Sequence, residues 1–194
     1  MTKKTLWFDL ETTGTDSRFH GIIQFAGIIE IDGVLVDELN IMMQPHPGAV
    51  IDAEAMSVHG ITANDIAGFI PHDEGSRQIL AFFDKHVSKF DRDDKMYPAG
   101  FNVRFDLEFL QVLFKRFQTY GIGSYMNWRA VDPLAFLYFM DYTGWISLPN
   151  YKLSTVCEHF GIQLDKAHDA LHDVKATRDL TIQLIHGFGL EVRK

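Results

Sequence analysis

Residues 5 to 11 place two carboxylates on one face of a predicted strand. The segment is apolar and aromatic, and the turn-forming residues Thr12, Thr13 and Gly14 follow it. Side chains of a strand alternate between its two faces, so Asp9 and Glu11 share one face while the apolar side chains beside them project into the core. Any fold of this chain must therefore keep two acidic groups together beside a buried strand.

Two carboxylates held this close favour a bound cation, because neither remains easily ionised without a positive counter-charge. Mg²⁺ and Mn²⁺ prefer oxygen ligands, which makes them natural partners of the pair. The pattern Asp-x-Glu also occurs at ordinary exposed strand ends, where both acids are simply solvated. The pair alone does not distinguish these interpretations, whereas the segments around Asp106 and His168, taken together with it, favour a site.

A third acid, Asp106, lies in the first turn of a predicted amphipathic helix. Apolar residues recur there at spacings of three and four, namely Phe105, Phe109, Leu110, Leu113, Phe114 and Phe117. Asn102 is suited to cap this helix, and an acid in a first turn complements the helix dipole. These local roles explain both residues without any chemistry, so the segment alone does not indicate a site.

The segment 168–173 supplies a histidine and a fourth acid. Asp169 is expected to cap the helix that follows, which leaves His168 in the preceding loop and Asp173 about one turn inside the helix. Histidine exchanges a proton near neutral pH, as a general base that activates water must. His172 is an alternative candidate for the base in the same segment. A histidine at such a position is usually an ordinary surface residue, and this explanation applies to both.

Together these segments resemble the DnaQ-like exonucleases of the DEDDh type. The three motifs read Phe8-Asp9-Leu10-Glu11-Thr12-Thr13-Gly14, Asn102-x-x-Phe105-Asp106 and His168-x-Ala170-x-x-Asp173. Connecting segments are similar as well: Val58-His59-Gly60-Ile61-Thr62, Val131-Asp132, Tyr151-Lys152-Leu153 and Phe160-Gly161-Ile162. The resemblance thus covers roughly the whole chain. Pro133 is a departure, since relatives often carry threonine after the aspartate.

The resemblance implies an α/β fold of the ribonuclease H-like type, with a mixed sheet flanked by helices. It also implies a 3′–5′ exonuclease that releases nucleoside 5′-monophosphates from polynucleotide 3′ ends. We expect single-stranded or frayed ends and favour DNA as the substrate, a choice that the motifs themselves do not settle. Two divalent cations, Mg²⁺ or Mn²⁺, are the expected cofactors. The expected metal ligands are Asp9, Glu11, Asp106 and Asp173, with Asp9 best placed to bridge both ions, and His168 is the expected base.

Candidate substrate contacts are less sharply defined by sequence. Thr12, Thr13 and Gly14 are expected to hold the terminal nucleotide, although a plain turn explains them equally well. His59, expected at a helix start, and Asn102 are further candidates. Met56 and Phe105 offer apolar faces that stack on unpaired bases, and core packing is the alternative for both.

The sequence leaves two other functions open. One is an RNA-trimming or oligoribonuclease-type exonuclease, because the metal site recognises phosphate whereas contacts to the 2′ hydroxyl distinguish RNA. The other is a non-catalytic module of the same fold that binds nucleic acid or a polymerase. The five intact chemical positions favour an enzyme, and a polymerase or another replication or repair protein is a candidate partner.

Composition and charge agree with one enzyme domain. A chain of 194 residues with 46% hydrophobic residues can bury one core, so residues 1–194 are expected to form a single exonuclease domain. The net charge of −8 argues against a protein that coats nucleic acid by bulk electrostatics. Cys157 is the only cysteine, which excludes a disulfide framework and a thiolate zinc site and indicates a reducing, cytoplasmic setting. No apolar run reaches membrane length, so no membrane association is expected.

Periodicity and turn residues predict the elements of the fold. Asp32-Gly33 indicates a tight turn between two strands of an antiparallel hairpin, and the mixed-sign run 91–95 indicates a solvated loop. The predicted strands are 4–10, 22–31, 34–43, 96–100 and 127–131. The predicted helices are 75–90, 104–119, 132–141, 151–160 and 170–186.

Overall fold

A four-stranded sheet forms the centre of the computed structural model, which describes residues 2–117, 120–164 and 169–189. Its strands are β1 (Lys4–Thr12), β2 (Ile22–Ile31), β3 (Val34–Met42) and β4 (Met96–Ala99), in the spatial order β3-β2-β1-β4. The first three strands pair antiparallel, whereas β4 pairs parallel with β1. The predicted mixed sheet is therefore confirmed.

The predicted hairpin between β2 and β3 is confirmed. Asp32 and Gly33 both adopt left-handed backbone angles, with φ of 52° and 80°. Two consecutive positive φ values are the requirement of the type I′ turn, whose twist matches that of the flanking strands. Aspartate tolerates this conformation better than most residues and glycine adopts it freely.

Seven α-helices and one short 3₁₀ helix flank the sheet in the described part of the chain. The α-helices are α1 (Ala53–His59), α2 (Ala63–Gly68), α3 (His72–Asp84), α4 (Val103–Phe117), α5 (Pro133–Tyr142), α6 (Leu153–Phe160) and α7 (Ala170–Gly187), and the 3₁₀ turn is Ile122–Ser124. The last four predicted helices are confirmed within a few residues at each end, although positions 118 and 119 lie outside the described residues. Helix α3 spans His72–Asp84, whereas the predicted helix was 75–90, so it begins and ends earlier than predicted. Pro71 directly precedes its first residue.

The strand predicted at 127–131 is wrong. Only two isolated bridges link this stretch to β4, at Met126 and Val131. Between them the Asn127 side chain accepts a hydrogen bond from the N–H of Arg129 at 3.0 Å. A local turn of this kind competes with strand pairing, so the segment touches β4 at its two ends alone.

The two faces of the sheet bury different cores. One face, which includes Phe8, Leu10 and Phe25, packs on α3 and α4 in the largest apolar cluster. The opposite face carries Trp7 and Ile28 and packs on Ala170 and Val174 of α7. Strand β1 therefore alternates as predicted, and Asp9 and Glu11 lie on the α7 face. In the described part of the chain, no helix has the length and apolar character needed to cross a membrane.

Candidate active site

Three of the predicted metal ligands converge where the end of β1 meets the start of α7. Asp169 caps α7 by accepting the N–H of Leu171 at 3.2 Å, and Asp173 lies in the first turn of that helix. Ligand oxygens of Asp9, Glu11 and Asp173 all lie within 4.8 Å of one another. The strand pairs two acids by its alternation, and the helix start adds a third from a segment more than 160 residues away.

Asp106 joins these acids from the open edge of β1. Strand β4 ends at Ala99, whereas β1 continues to Thr12, so the last residues of β1 have no β4 partner. The Leu10 N–H donates to Asp106 Oδ1 at 3.1 Å instead. Gly100 lets the chain turn here, because a Cβ at that position would lie 2.7 Å from the Phe8 carbonyl oxygen. A carboxylate thus takes the place of the next strand.

The acids raise one another's pKa values because they lie close together in a site where Glu11 and Asp106 are buried and Asp9 is half-buried. Burial raises the pKa of Asp9 well above its usual range, and the charges of Asp106, Glu11 and Asp173 raise it further. Burial, with the charges of Asp173 and Asp169, raises the pKa of Glu11 to about 8. Burial also raises the pKa of Asp106, against two backbone hydrogen bonds that lower it. These three carboxyl groups therefore resist ionisation near neutral pH in the absence of a bound positive charge.

The donor set fits hard divalent cations. It consists of carboxylate oxygens of Asp9, Glu11 and Asp173, with the Asp106 carboxylate beside them, and such oxygens are the ligands that Mg²⁺ and Mn²⁺ prefer. Positive charge would offset the desolvation and repulsion that raise the three pKa values. Cys157 supplies no thiolate ligand, because burial and the nearby charge of Asp173 raise its pKa to about 11.

The predicted base, His168, lies outside the described residues. The structure describes the two residues that follow it, Asp169 and Ala170, and these carry the chain into α7 at the acidic cluster. The alternative histidine, His172, lies inside the first turn of α7, where its N–H donates to the Asp169 carbonyl at 2.9 Å.

The segment Thr12-Thr13-Gly14 forms a tightly bonded turn beside the acids. The Thr13 hydroxyl donates to the Val50 carbonyl at 2.6 Å and accepts the N–H of Gly21 at 3.0 Å, and its side chain is fully buried. The Thr12 hydroxyl donates to the Gly14 carbonyl at 2.7 Å. Both hydroxyls therefore have partners within the chain, which supports the plain-turn interpretation for the side chains.

The remaining substrate candidates lie on α1 and α4. The prediction that His59 starts a helix is wrong, because Asp52 caps the start of α1 and Gly60, with φ of 74°, ends it directly after His59. Met56 lies one turn earlier and, like His59, is half-buried. Phe105 packs against the large core, with its ring centroid 5.0 Å from that of Phe109.

Asn102 does precede α4, but it does not cap the helix in the predicted way. Its backbone is left-handed, with φ of 59°. The N–H groups of Asn102 and Val103 are bound instead by the carboxylate of Asp132, at 3.1 and 3.2 Å. Sequence reasoning assigned Asp132 no role in the site, although an aspartate directly before a proline is a typical helix start and could have drawn attention to it.

A match to a known family shows to which class of protein the chain belongs. Residues 6–181 match the RNase_T family, described as exonuclease. The chain belongs to this exonuclease family. The match includes Asp9, Glu11, Asp106 and Asp173, and a DnaQ-like, ribonuclease H-like exonuclease is what the motifs predicted.

Curated relatives of this exonuclease chain are much longer proteins. The PolC-type DNA polymerase III of Listeria monocytogenes is 28% identical over 179 residues, and that of Halalkalibacterium halodurans is 27% identical over 178 residues. Each match covers 92% of this chain and 11% of the relative. The chain thus spans about a tenth of the length of these polymerases.

Solved structures with the same fold include exonuclease I proteins. Escherichia coli exonuclease I in complex with a dT13 oligonucleotide has a TM-score of 0.77 at 23% identity, covering 94% of this chain and 41% of that protein. Exonuclease I from Methylocaldum szegediense has a TM-score of 0.70 at 24% identity, covering 94% of this chain and 40% of that protein. These similarities establish the ribonuclease H-like fold.

Proposed function

We propose that the chain is a 3′–5′ exonuclease that hydrolyses single-stranded or frayed polynucleotide 3′ ends, DNA in preference to RNA, to nucleoside 5′-monophosphates. The cofactors in this proposal are two divalent cations, Mg²⁺ or Mn²⁺. The ligands are Asp9, Glu11, Asp106 and Asp173, and the general base is His168.

The observation that carries the proposal is the convergence of acids from three distant segments at one end of β1. Oxygens of Asp9, Glu11 and Asp173 lie within 4.8 Å of one another, and Asp106 is bonded to the backbone between the first two. A fold gains no stability from burying acids together, so a site that recruits cations is the better explanation. Membership of the exonuclease family supports the same chemistry.

Bound divalent cations would supply Lewis-acid stabilisation of the negative charge that develops at the phosphate. Residues of the chain position the cations and transfer the proton. Asp9 and Glu11 are held by strand β1, which keeps their spacing rigid, while Asp106 is fixed by the Leu10 N–H. In the proposal, His168 accepts the proton of the attacking water, and the leaving group is the 3′ oxygen of the shortened polynucleotide. Because the chain carries a net charge of −8, it does not attract a polynucleotide by bulk electrostatics. In the proposal, substrate binding therefore depends on the cations that neutralise the acids at the site.

The preference for DNA rests on the relatives. PolC-type enzymes are DNA polymerases by name, and Escherichia coli exonuclease I was solved with a dT13 oligonucleotide. Both are longer than this chain, so their substrate is carried over only as a proposal. The similarity to polymerases also makes a polymerase, or another replication or repair protein, our proposed partner. We further propose that residues 1–194 form one exonuclease domain, since the family match spans 6–181.

The test uses 5′-labelled single-stranded DNA and RNA of the same sequence, incubated with Mg²⁺ or Mn²⁺ and, in parallel, with a chelator. Stepwise shortening from the 3′ end, faster on DNA and abolished by chelator, is expected. Asp9→Asn should lose nearly all activity, whereas Asp93→Asn, a matched change at an exposed residue of the loop 91–95, should be fully active. Faster shortening of RNA would replace the DNA preference by the RNA-trimming alternative. Binding without any shortening would favour the non-catalytic module.

The role of His168 has its own test. His168→Ala is expected to reduce turnover by about a hundredfold or more while Mn²⁺ and oligonucleotide affinities stay close to the wild-type values. His172→Ala is the matched control and should keep most of the activity. Turnover that is unchanged in His168→Ala would remove the assigned role, and a loss confined to His172→Ala would transfer it.

A further inference from the structure

We propose that Asp132 is a positioning residue, which holds Asp106 and Asn102 in place at the candidate active site. The catalytic consequence rests on the proposed function, whereas the positional claim concerns the metal-free chain and stands by itself. Asp132 lies on neither strand β1 nor helix α4, yet its carboxylate binds the start of the helix that carries Asp106.

The segment before Asp132, residues 127–131, is bonded to β4 at both of its ends. The Asn127 N–H donates to the Met96 carbonyl at 2.7 Å, and the Val131 N–H donates to the Pro98 carbonyl at 2.8 Å. In return the Gly100 N–H donates to the Val131 carbonyl at 3.2 Å. These bonds bring Asp132 to the same end of the sheet as the acidic cluster, directly beside the turn that leads from β4 into α4.

The Asp132 carboxylate binds two helix starts at once. Oδ1 accepts the N–H of Leu134 at 3.0 Å, which caps α5, and also the N–H of Asn102 at 3.1 Å. Oδ2 accepts the N–H of Val103, the first residue of α4, at 3.2 Å. Pro133 suits this arrangement, since proline at the first helical position needs no hydrogen-bond acceptor for its nitrogen.

The consequence for Asp106 follows from helix geometry. Asp106 lies three residues after Val103, within the first turn of α4, so a rotation or fraying of that turn moves its carboxylate. The bond from the Leu10 N–H to Asp106 Oδ1 reports this movement, because β4 offers no alternative acceptor at that point of the β1 edge. Asn102 depends on Asp132 in the same way, since its left-handed backbone is held through its own N–H.

An ordinary cap of α5 is the competing explanation. Loss of an ordinary cap would lower stability and leave the geometry around β1 unchanged. The proposal instead requires a local change at Leu10, on a different element from the substituted residue. Exchange of the Leu10 amide hydrogen in metal-free protein separates these explanations, with the Phe25 amide of the central strand as internal reference.

The experiment compares Asp132→Ala with wild type by amide exchange, Mn²⁺ titration and single-turnover kinetics. The expected results are a rise of about tenfold or more in Leu10 exchange relative to Phe25, Mn²⁺ affinity lowered about tenfold, and a larger change in kcat than in KM. Asp132→Asn keeps one accepting oxygen and should fall between wild type and Asp132→Ala in all three. It also decides the outcome if Asp132→Ala does not fold. Thr62→Ala removes the cap of α2 and should change none of them.

Leu10 exchange and Mn²⁺ affinity at wild-type levels in both Asp132 variants would overturn the proposal and leave an ordinary cap. The proposed function is tested separately by Asp106→Asn. Normal Mn²⁺ binding and activity in that variant would overturn the metal role of Asp106, while the Leu10 exchange of Asp132→Ala would still decide the positional claim.

Discussion

The face of the sheet that packs on α7 buries acidic side chains at both of its ends, and the two ends are neutralised differently. At one end Glu30, only 7% exposed, accepts the indole N–H of Trp7 at 3.0 Å and forms an ion pair with Arg178 of α7. At the other end lie Asp9 and Glu11 with Asp173. Among the described residues, no lysine or arginine forms an ion pair with Asp9, Glu11 or Asp106.

This difference separates a structural acid from a candidate functional one. Both ends lie on the same face of the sheet and against the same helix, with Glu30 on β2 and with Asp9 and Glu11 on β1, so burial alone does not distinguish them. A buried carboxylate with its own cation and donor is complete within the fold, as Glu30 is. Carboxyl groups whose pKa values are raised by burial and by one another become ionised together near neutral pH only when a positive charge from solution binds among them. The comparison therefore predicts opposite responses to substitution, pH and metal at the two ends.

The largest expected effect is on catalysis. Asp9→Asn should reduce exonuclease activity by about a thousandfold, equivalent to about 4 kcal/mol of transition-state stabilisation, because it removes a central metal ligand. Glu30→Gln should keep the activity within a few-fold, since Glu30 belongs to the neutralised end. Initial rates on labelled single-stranded DNA measure both. Equal losses in the two variants would mean that the two ends are not functionally distinct.

The pH dependence of stability should differ next. The pKa of Glu11 is about 8 in the folded protein, against an ordinary value of 4.5. A raised carboxyl pKa gives stability that is fully present below pH 4.5 and is lost as the pH rises through 8, because the folded state must then carry a buried charge. The metal-free wild type should therefore lose on the order of a few kcal/mol across this range.

Thermal denaturation in chelator between pH 5 and 9 measures this loss. Glu11→Gln should flatten the profile, whereas Glu30→Gln should keep the wild-type slope at a lower stability. A wild-type profile that rises steadily towards pH 9 would contradict the raised pKa.

Metal binding should reverse the loss. Mn²⁺ at a hundred times its dissociation constant is expected to stabilise the folded chain by about 2.7 kcal/mol at pH 8, because it binds the folded site and not the unfolded chain. Urea denaturation with and without Mn²⁺ measures the gain. Glu30→Gln should retain it and Asp9→Asn should lose most of it. A gain of the same size in Asp9→Asn would place the metal elsewhere.

The smallest expected effect belongs to the neutralised end. Arg178→Met removes the cation from Glu30, leaves a buried charge, and should destabilise the fold by about 2 kcal/mol, a value lowered for the partial exposure of Arg178. In the metal-free protein at pH 9, where Glu11 is ionised, Asp9→Asn should instead stabilise by about 1 kcal/mol, since it removes repulsion. Urea denaturation in chelator gives both signs. Destabilisation by Asp9→Asn would show that the acidic end is already neutralised.

Strand alternation predicted that Asp9 and Glu11 share a face, and the cap at Asp169 placed Asp173 in the first turn of α7. That these segments meet at one acidic site was predicted by the resemblance to DnaQ-like exonucleases, because each segment alone is explained by an ordinary local role. The bond from Leu10 to Asp106 was beyond such reasoning, because it depends on β4 ending earlier than β1. The dual role of Asp132 was missed because two of its partners, Asn102 and Val103, lie about 30 residues away in sequence.

The fold shows the same limit. Helices α4 and α7 carry apolar faces that periodicity detects, whereas α1 contains no buried residue and was not predicted. Its signals are its caps, Asp52 and Gly60, and the adjacent α2 begins with a reciprocal capping box between Thr62 and Asp65. The predicted strand 127–131 failed because the turn at Asn127 competes with pairing.

The central claim is that four acids from three segments hold divalent cations together. The most direct measurement is the anomalous scattering of manganese in a crystal of the chain soaked in Mn²⁺. We expect strong anomalous peaks within coordination distance of carboxylate oxygens of Asp9, Glu11, Asp106 and Asp173. A well-ordered map with no peak among these side chains, at a Mn²⁺ concentration that supports activity, would contradict the claim.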